Sequence, residues 1–203
     1  MKYSIGIAGA TSVLLVAVGA RFLPGVLDAA TPLARVAALL ALLAYLYLAA
    51  ASVVLAAIDL DQHRLPNAIV LPCYAVGAVL LGLSSVLAAD WAQLARTFVS
   101  GLLLFAGYLA LALVSPRGMG FGDVKLAGAL GLFLGSVGWG AVVVGALAPF
   151  LLGGVFALSL LVAKRADRKT SVPFGPWMLA GAWVGIFAGE QITGAYLAAV
   201  GLS

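Results

Sequence analysis

Of 203 residues, 65% are hydrophobic and 9% charged, with 11 Lys/Arg against 7 Asp/Glu and a net charge of +4. Soluble domains run near half apolar and about a quarter charged, so this composition excludes one; apolar blocks of about twenty residues, the length of helix that crosses a bilayer core, point to a polytopic membrane protein. One cysteine, Cys73, excludes an intramolecular disulfide, and with the single His63 it excludes the usual Cys/His zinc sites.

In chain order, the interrupting charges and prolines bound seven helices at 4–22, 33–58, 67–88, 94–114, 122–137, 139–163 and 174–199. The expected fold is an all-α bundle of about seven transmembrane helices in one integral membrane domain, residues 1–203. The first helix has a second reading: Lys2, an apolar run and Val18-Gly19-Ala20 resemble a cleavable signal peptide, which would leave six helices. Between the fifth and sixth helices only Gly138 and its neighbours intervene, so a tight hairpin and a broken re-entrant element are both open.

Lys and Arg crowd cytoplasmic loops. With the N-terminus inside, Lys2, Arg64, Arg117, Lys125, Lys164, Arg165, Arg168 and Lys169 fall on the cytoplasmic side, and Arg21, Arg35 and Arg96 outside. The positive charge is thereby a topology signal, and the bilayer rather than nucleic acid is the expected partner.

Four acids interrupt the pattern on the inner side: Asp59, Asp61, Asp123 and Asp167. Asp167 sits among Lys164, Arg165, Arg168 and Lys169 and reads as a solvated partner. Two complete helices separate Asp59 from Asp123, and an even number of crossings returns the chain to the same face, so these two carboxylates can meet at one depth. Gly118-Met119-Gly120-Phe121-Gly122 precedes Asp123, and its glycines permit tight or left-handed backbone and the close approach of another chain. If the second helix continues through Asp59 and Asp61, residues two apart point about 200° away from each other, so only one faces Asp123. Asp59, nearer the apolar Val53–Ile58 stretch, is favoured; Asp61 is expected deeper in the polar loop.

The menu of membrane-embedded hydrolysis is short. A zinc protease of the HExxH kind needs two histidines, no serine, Ser115 included, sits in a glycine elbow, and Cys73 lies a turn into an apolar helix, the ordinary place of a core residue. Paired carboxylates remain. Two that share one proton can serve as base toward water and acid toward a scissile amide, with neither metal nor cofactor. A proton- or cation-coupled transporter using Asp59 and Asp123 as ion-binding carboxylates is the alternative, and a non-catalytic scaffold a third; both acids lie at one face and no inverted repeat is evident.

Ile58-Asp59-Leu60-Asp61-Gln62-His63-Arg64-Leu65-Pro66-Asn67 and Gly118-Met119-Gly120-Phe121-Gly122-Asp123-Val124-Lys125-Leu126 together resemble the two active-site motifs of bacterial prepilin peptidases, the type IV leader peptidases among the GxGD membrane aspartyl proteases. The resemblance runs over roughly residues 35–190. It implies that Asp59 and Asp123 are the catalytic pair, that Gly120 and Gly122 are the glycines of GxGD, and that Pro66, seven residues after Asp59, belongs to the Leu-Pro-Asn step. Asp61 occupies a more variable position of the active-site loop; Lys125 also matches, with no role attached. Val172-Pro173-Phe174-Gly175-Pro176 is similar to a third family segment.

The implied activity is cleavage of a basic leader peptide from a type IV prepilin or pilin-like protein, serving a pilus or protein secretion, at the cytoplasmic face of a bacterial cytoplasmic membrane. Many members carry Cys-x-x-Cys pairs in a cytoplasmic region tied to an N-methyltransferase activity. With Cys73 alone, the chain resembles a short form, and peptidase activity without methyltransfer is expected. Gly181, Gly185 and Gly189 on the last helix, and Gly131 and Gly135 on the fifth, offer small faces for helix contact, inside the bundle first, with a dimer face or a substrate-helix groove as the alternatives. Glu190 adjoins one of them as an interhelical hydrogen-bonding group or an interfacial charge; Trp139, Trp177 and Trp183 read as interface and packing residues. No oligomeric state follows from the pattern.

Overall fold

The computed structural model describes residues 4–115, 119–163 and 173–201. Lys2, Arg117, Gly118, Lys164, Arg165, Asp167, Arg168, Lys169 and Val172, all named above, lie outside the described residues. The described chain is helical throughout: α1 (Ser4–Leu27), α2 (Pro32–Gln62), α3 (Asn67–Leu87), α4 (Trp91–Val114), α5 (Phe121–Val137), α6 (Trp139–Val162) and α7 (Gly175–Ala199). Five of them, α1 to α4 and α6, are long and apolar enough to cross a bilayer, so the chain is a multi-pass membrane protein. The other two, α5 and α7, complete the bundle between them.

Local chemistry sets the boundaries. The Thr31 hydroxyl accepts the Ala34 N–H at 3.1 Å and Pro32 opens α2 with its φ already helical. At the other end α2 runs four residues past the expected position 58, through Gln62, and stops where His63 turns left-handed at φ 53° and its N–H returns to the Asp59 carbonyl at 2.9 Å. Asp61 is therefore on a helix, where a loop was expected. The third helix contains a π-turn over Gly77–Leu81, where it passes Leu132 and Phe133 of α5. Asp90 caps α4 by accepting the Gln93 N–H at 2.8 Å. Gly138, extended at φ 168° and ψ 172°, is the one-residue break between α5 and α6, so the junction is a tight connection of two full helices.

The bundle is organised around α5. From Leu126 to Gly135 every residue is buried, the pattern of a helix enclosed on all sides, and it packs against α3, α4, α6 and α7. Glycine makes this closeness possible. A methyl group on Gly131 would stand 2.6 Å from the Ser100 carbonyl oxygen, and one on Gly135 2.6 Å from that of Arg96. The α6–α7 pair repeats the device: a methyl on Gly185 would stand 2.5 Å from the Ala141 oxygen, and Gly181 faces Pro149. Both glycine stripes of the sequence thus serve packing within the bundle.

Polar ties fix the helices lengthwise. Tyr45 donates to the Phe133 carbonyl at 2.8 Å and lies 2.6 Å from the Ser136 hydroxyl. Arg96 donates through Nε to the Gly135 carbonyl at 2.6 Å, a cation placed at the negative end of α5. Glu190 accepts the Ala141 N–H at 3.2 Å, capping α6 from α7, so it is an interhelical hydrogen-bonding group. Trp183 donates to Ser52 at 3.2 Å, and Cys73 is a buried core residue whose thiol points to the Ile69 carbonyl.

Substituting Gly131 with leucine is expected to cost about 1–3 kcal/mol or more by forcing α4 and α5 apart. Gly154→Ala, with nothing near the added carbon, is expected to be neutral or slightly stabilising. Thermal unfolding of the two variants in the same detergent checks both.

Candidate active site

Asp59 is 5% exposed, the one carboxylate in the described core. It sits in the last turn of α2, and its Oδ2 accepts the backbone N–H of Gly175, 116 residues downstream at the start of α7, at 3.0 Å. A side chain at position 175 would collide with this contact, since a methyl there would stand 2.5 Å from Oδ2. Glycine is needed here for its lack of a β-carbon, so that a backbone amide can reach a buried carboxylate.

Asp123 occupies the first turn of α5. Its N–H donates to the Gly120 carbonyl at 3.1 Å while its Oδ2 accepts the Gly120 N–H at 3.0 Å, a reciprocal cap that also sets a negative charge at the positive end of the helix. At this rim, outside the five apolar spans, its carboxyl is pushed up to about 6. Burial is the main cause; the Gly120 N–H works against it by favouring the ionised form, and the nearby Asp59 charge adds to it. The structure therefore brings the two acids within electrostatic reach.

The turn between α2 and α3 joins the three segments. Leu65 packs against both Gly122 and Gly175: added methyl groups would stand 3.2 Å from its Cβ and 3.2 Å from its Cδ2 respectively. Pro66 caps α3, its carbonyl accepting the N–H groups of Ile69 and Val70. Lys125 reaches across to Asn67, Nζ donating to Oδ1 at 3.1 Å. Gly120, Gly122, Lys125 and Pro66 thus all border the Asp59–Asp123 region. Asp61 differs: it is exposed, on the opposite side of α2 from Asp59. It stands with Gln62 and Pro176 at one end of a cleft of about 710 Å³ between α1, α2 and α7, whose walls include Ala57, Ala180 and Trp183.

Sequence reasoning marked the segment around Gly175 but attached no role to that residue, and it passed over Leu65. A backbone donor leaves no side-chain signature; the small residue at 175 between Phe174 and Pro176 was the available signal. Chemically, two carboxylates, one of them with its ionisation pushed up toward neutral pH, form a set that can take a proton from water and return one to a leaving group.

Comparison with known proteins agrees. Residues 46–158 match the type IV leader peptidase family. The chain is 32% identical over 159 residues to a prepilin leader peptidase/N-methyltransferase of Aeromonas salmonicida, covering 78% of this chain and 53% of that protein. Proteins of the same name from Stutzerimonas stutzeri and Pseudomonas aeruginosa are 34% and 30% identical, each over 69% of this chain and 47% of theirs. The chain spans about half the length of these curated relatives, and no solved structure matches. It belongs to the type IV leader peptidase family.

In Asp59→Asn protein the Asp123 carboxyl is expected to titrate lower than in wild type, because the Asp59 charge that disfavours its ionisation is gone. Carbon-13 NMR of labelled aspartate carboxyls in detergent measures this; an unchanged midpoint would mean that the two groups do not sense each other.

Proposed function

We propose that this member of the family is a membrane aspartic endopeptidase that removes the basic leader from type IV prepilins or pilin-like proteins, with Asp59 and Asp123 as its catalytic pair. The observation that supports the reading is that Leu65 packs on both Gly122, the neighbour of Asp123, and Gly175, whose N–H holds Asp59.

The pair holds one proton, because two like charges at close range resist ionising together. The ionised member takes a proton from a water molecule as its oxygen attacks the carbonyl carbon of the scissile amide. The protonated member gives its proton to the amide nitrogen as the C–N bond breaks, and the pair returns to its starting charge. The titration belongs to the pair rather than to either residue. Gly120, Gly122 and Pro66 shape the loop around it, and Asp61, on the far side of α2, takes no part in bond cleavage.

The excess of Lys and Arg on the loops of this end, eight of eleven by sequence count, supports a pair at the cytoplasmic face of a bacterial cytoplasmic membrane. A leader in water followed by an apolar helix in the bilayer suits that position. Of the two activities in the relatives' name, we assign the peptidase, on the two aspartate motifs.

Co-expression with a type IV prepilin, read as leader cleavage on a gel, tests the assignment. Asp59→Asn and Asp123→Asn are expected to abolish cleavage, Asp61→Asn to retain it, and Gly175→Ala to reduce it at least tenfold by displacing the Asp59 carboxylate. Normal cleavage by either of the first two variants would overturn the pair; loss with Asp61→Asn alone would move the first role to that residue.

A further inference from the structure

Lys125 lies two residues beyond Asp123 on α5, and so turns about 200° away from it around the helix axis. Its ammonium accordingly meets α3, donating to Asn67 Oδ1 at 3.1 Å, with Nζ 4.9 Å from the centre of the Phe121 ring. The backbone carbonyl of the same residue accepts the Tyr74 hydroxyl at 2.6 Å. Asn67 and Tyr74 are seven residues apart, two turns of α3, and share one face of that helix. The first turn of α5 is therefore pinned to α3 at two heights. Asn67 also follows directly on Leu65-Pro66, and Leu65 is the side chain wedged against Gly122 and Gly175.

We propose that Lys125 is a positioning residue that, through Asn67, sets the height of the first turn of α5 against the α2–α3 turn and so the placing of Asp123 opposite Asp59. The inference rests on the reading of those two acids as the catalytic pair. The Lys125–Asn67 bond is the side-chain hydrogen bond that joins the two motif segments among the described residues. One partner is charged, which strengthens it relative to a neutral pair and suits it to a wet rim. The carbonyl of Lys125 would still bind Tyr74 after substitution, so loss of the ammonium frees the rim end of the turn while α5 stays docked. The expected defect is in geometry at the pair, and hence in turnover rather than in substrate binding.

Purified full-length protein, reconstituted in vesicles with a pilin-like protein bearing a basic leader, a glycine before the cut and an apolar helix, gives kcat and KM for each variant. Lys125→Met and Asn67→Ala are each expected to lower kcat about tenfold with KM within twofold of wild type. The double variant is expected to be no worse than either alone, since both break one bond. Asn67→Asp, which keeps an acceptor for the ammonium, is expected to retain at least half of the wild-type kcat. The Asp123 titration midpoint is expected to be unmoved in Lys125→Met, because the ammonium acts by position and not by charge on the pair.

A hundredfold loss in the double variant, a Lys125→Met effect confined to KM, wild-type kcat in Lys125→Met, or a raised Asp123 midpoint in it would each overturn the proposal. If Lys125→Met fails to fold, Asn67→Ala against Asn67→Asp carries the same comparison. Asp123→Asn in the same assay reports on the pair separately: full activity there would remove the pair itself, whereas an inactive Asp123→Asn beside an unaffected Lys125→Met would remove only the role of the lysine.

Discussion

Everything at the candidate site depends on how closely the backbone of α5 approaches α4. The Gly131 and Gly135 positions leave no room for even one added carbon against Ser100 and Arg96, and in lipid, where apolar contact by itself brings little net gain, such close packing is a main source of helix association. Because α5 is fixed in this way, and held at its far end by Arg96 and Tyr45, its first turn has a defined height. Asp123 inherits that height. The glycine contacts between α6 and α7 do the same for the start of α7, and so for the Gly175 N–H.

Two carboxylates near one another repel, and burial makes each charge costlier. The fold answers with backbone donors rather than cations. Asp59 receives the Gly175 N–H and Asp123 the Gly120 N–H, while Lys125, the nearest cation in sequence to Asp123, is directed at Asn67 instead. A lysine paired with either acid would favour its full ionisation, whereas neutral donors orient the carboxylates without adding a positive charge.

Much of this was legible in the sequence, and the limits have physical reasons. Apolar blocks bounded by charges marked all seven helices, and parity of crossings put Asp59 and Asp123 at one end. The glycines around Asp123 point to close approach of another chain; what approaches Gly122 is Leu65 of the same chain. The end of α2 was not legible: Asp59, Asp61 and Gln62 read as a loop, and the residue that stops the helix is His63 in a left-handed conformation, which glycine or asparagine would signal more clearly. Gly138 was visible as a break, but its extended geometry was not. The partner of Asp59 was hidden for another reason, since a main-chain N–H is present at nearly every residue and only the fold selects one.

That partner has a consequence for biogenesis. Asp59 and Gly175 are separated by 116 residues, so on the ribosome the carboxylate is made long before the amide that holds it. Until α7 has been made and has closed against α6, Asp59 is without its hydrogen-bond donor and α2 without one of its neighbours. Completion of the site thus waits on α7, and a nascent chain halted before α7 carries both acidic motifs with the first of them still unheld.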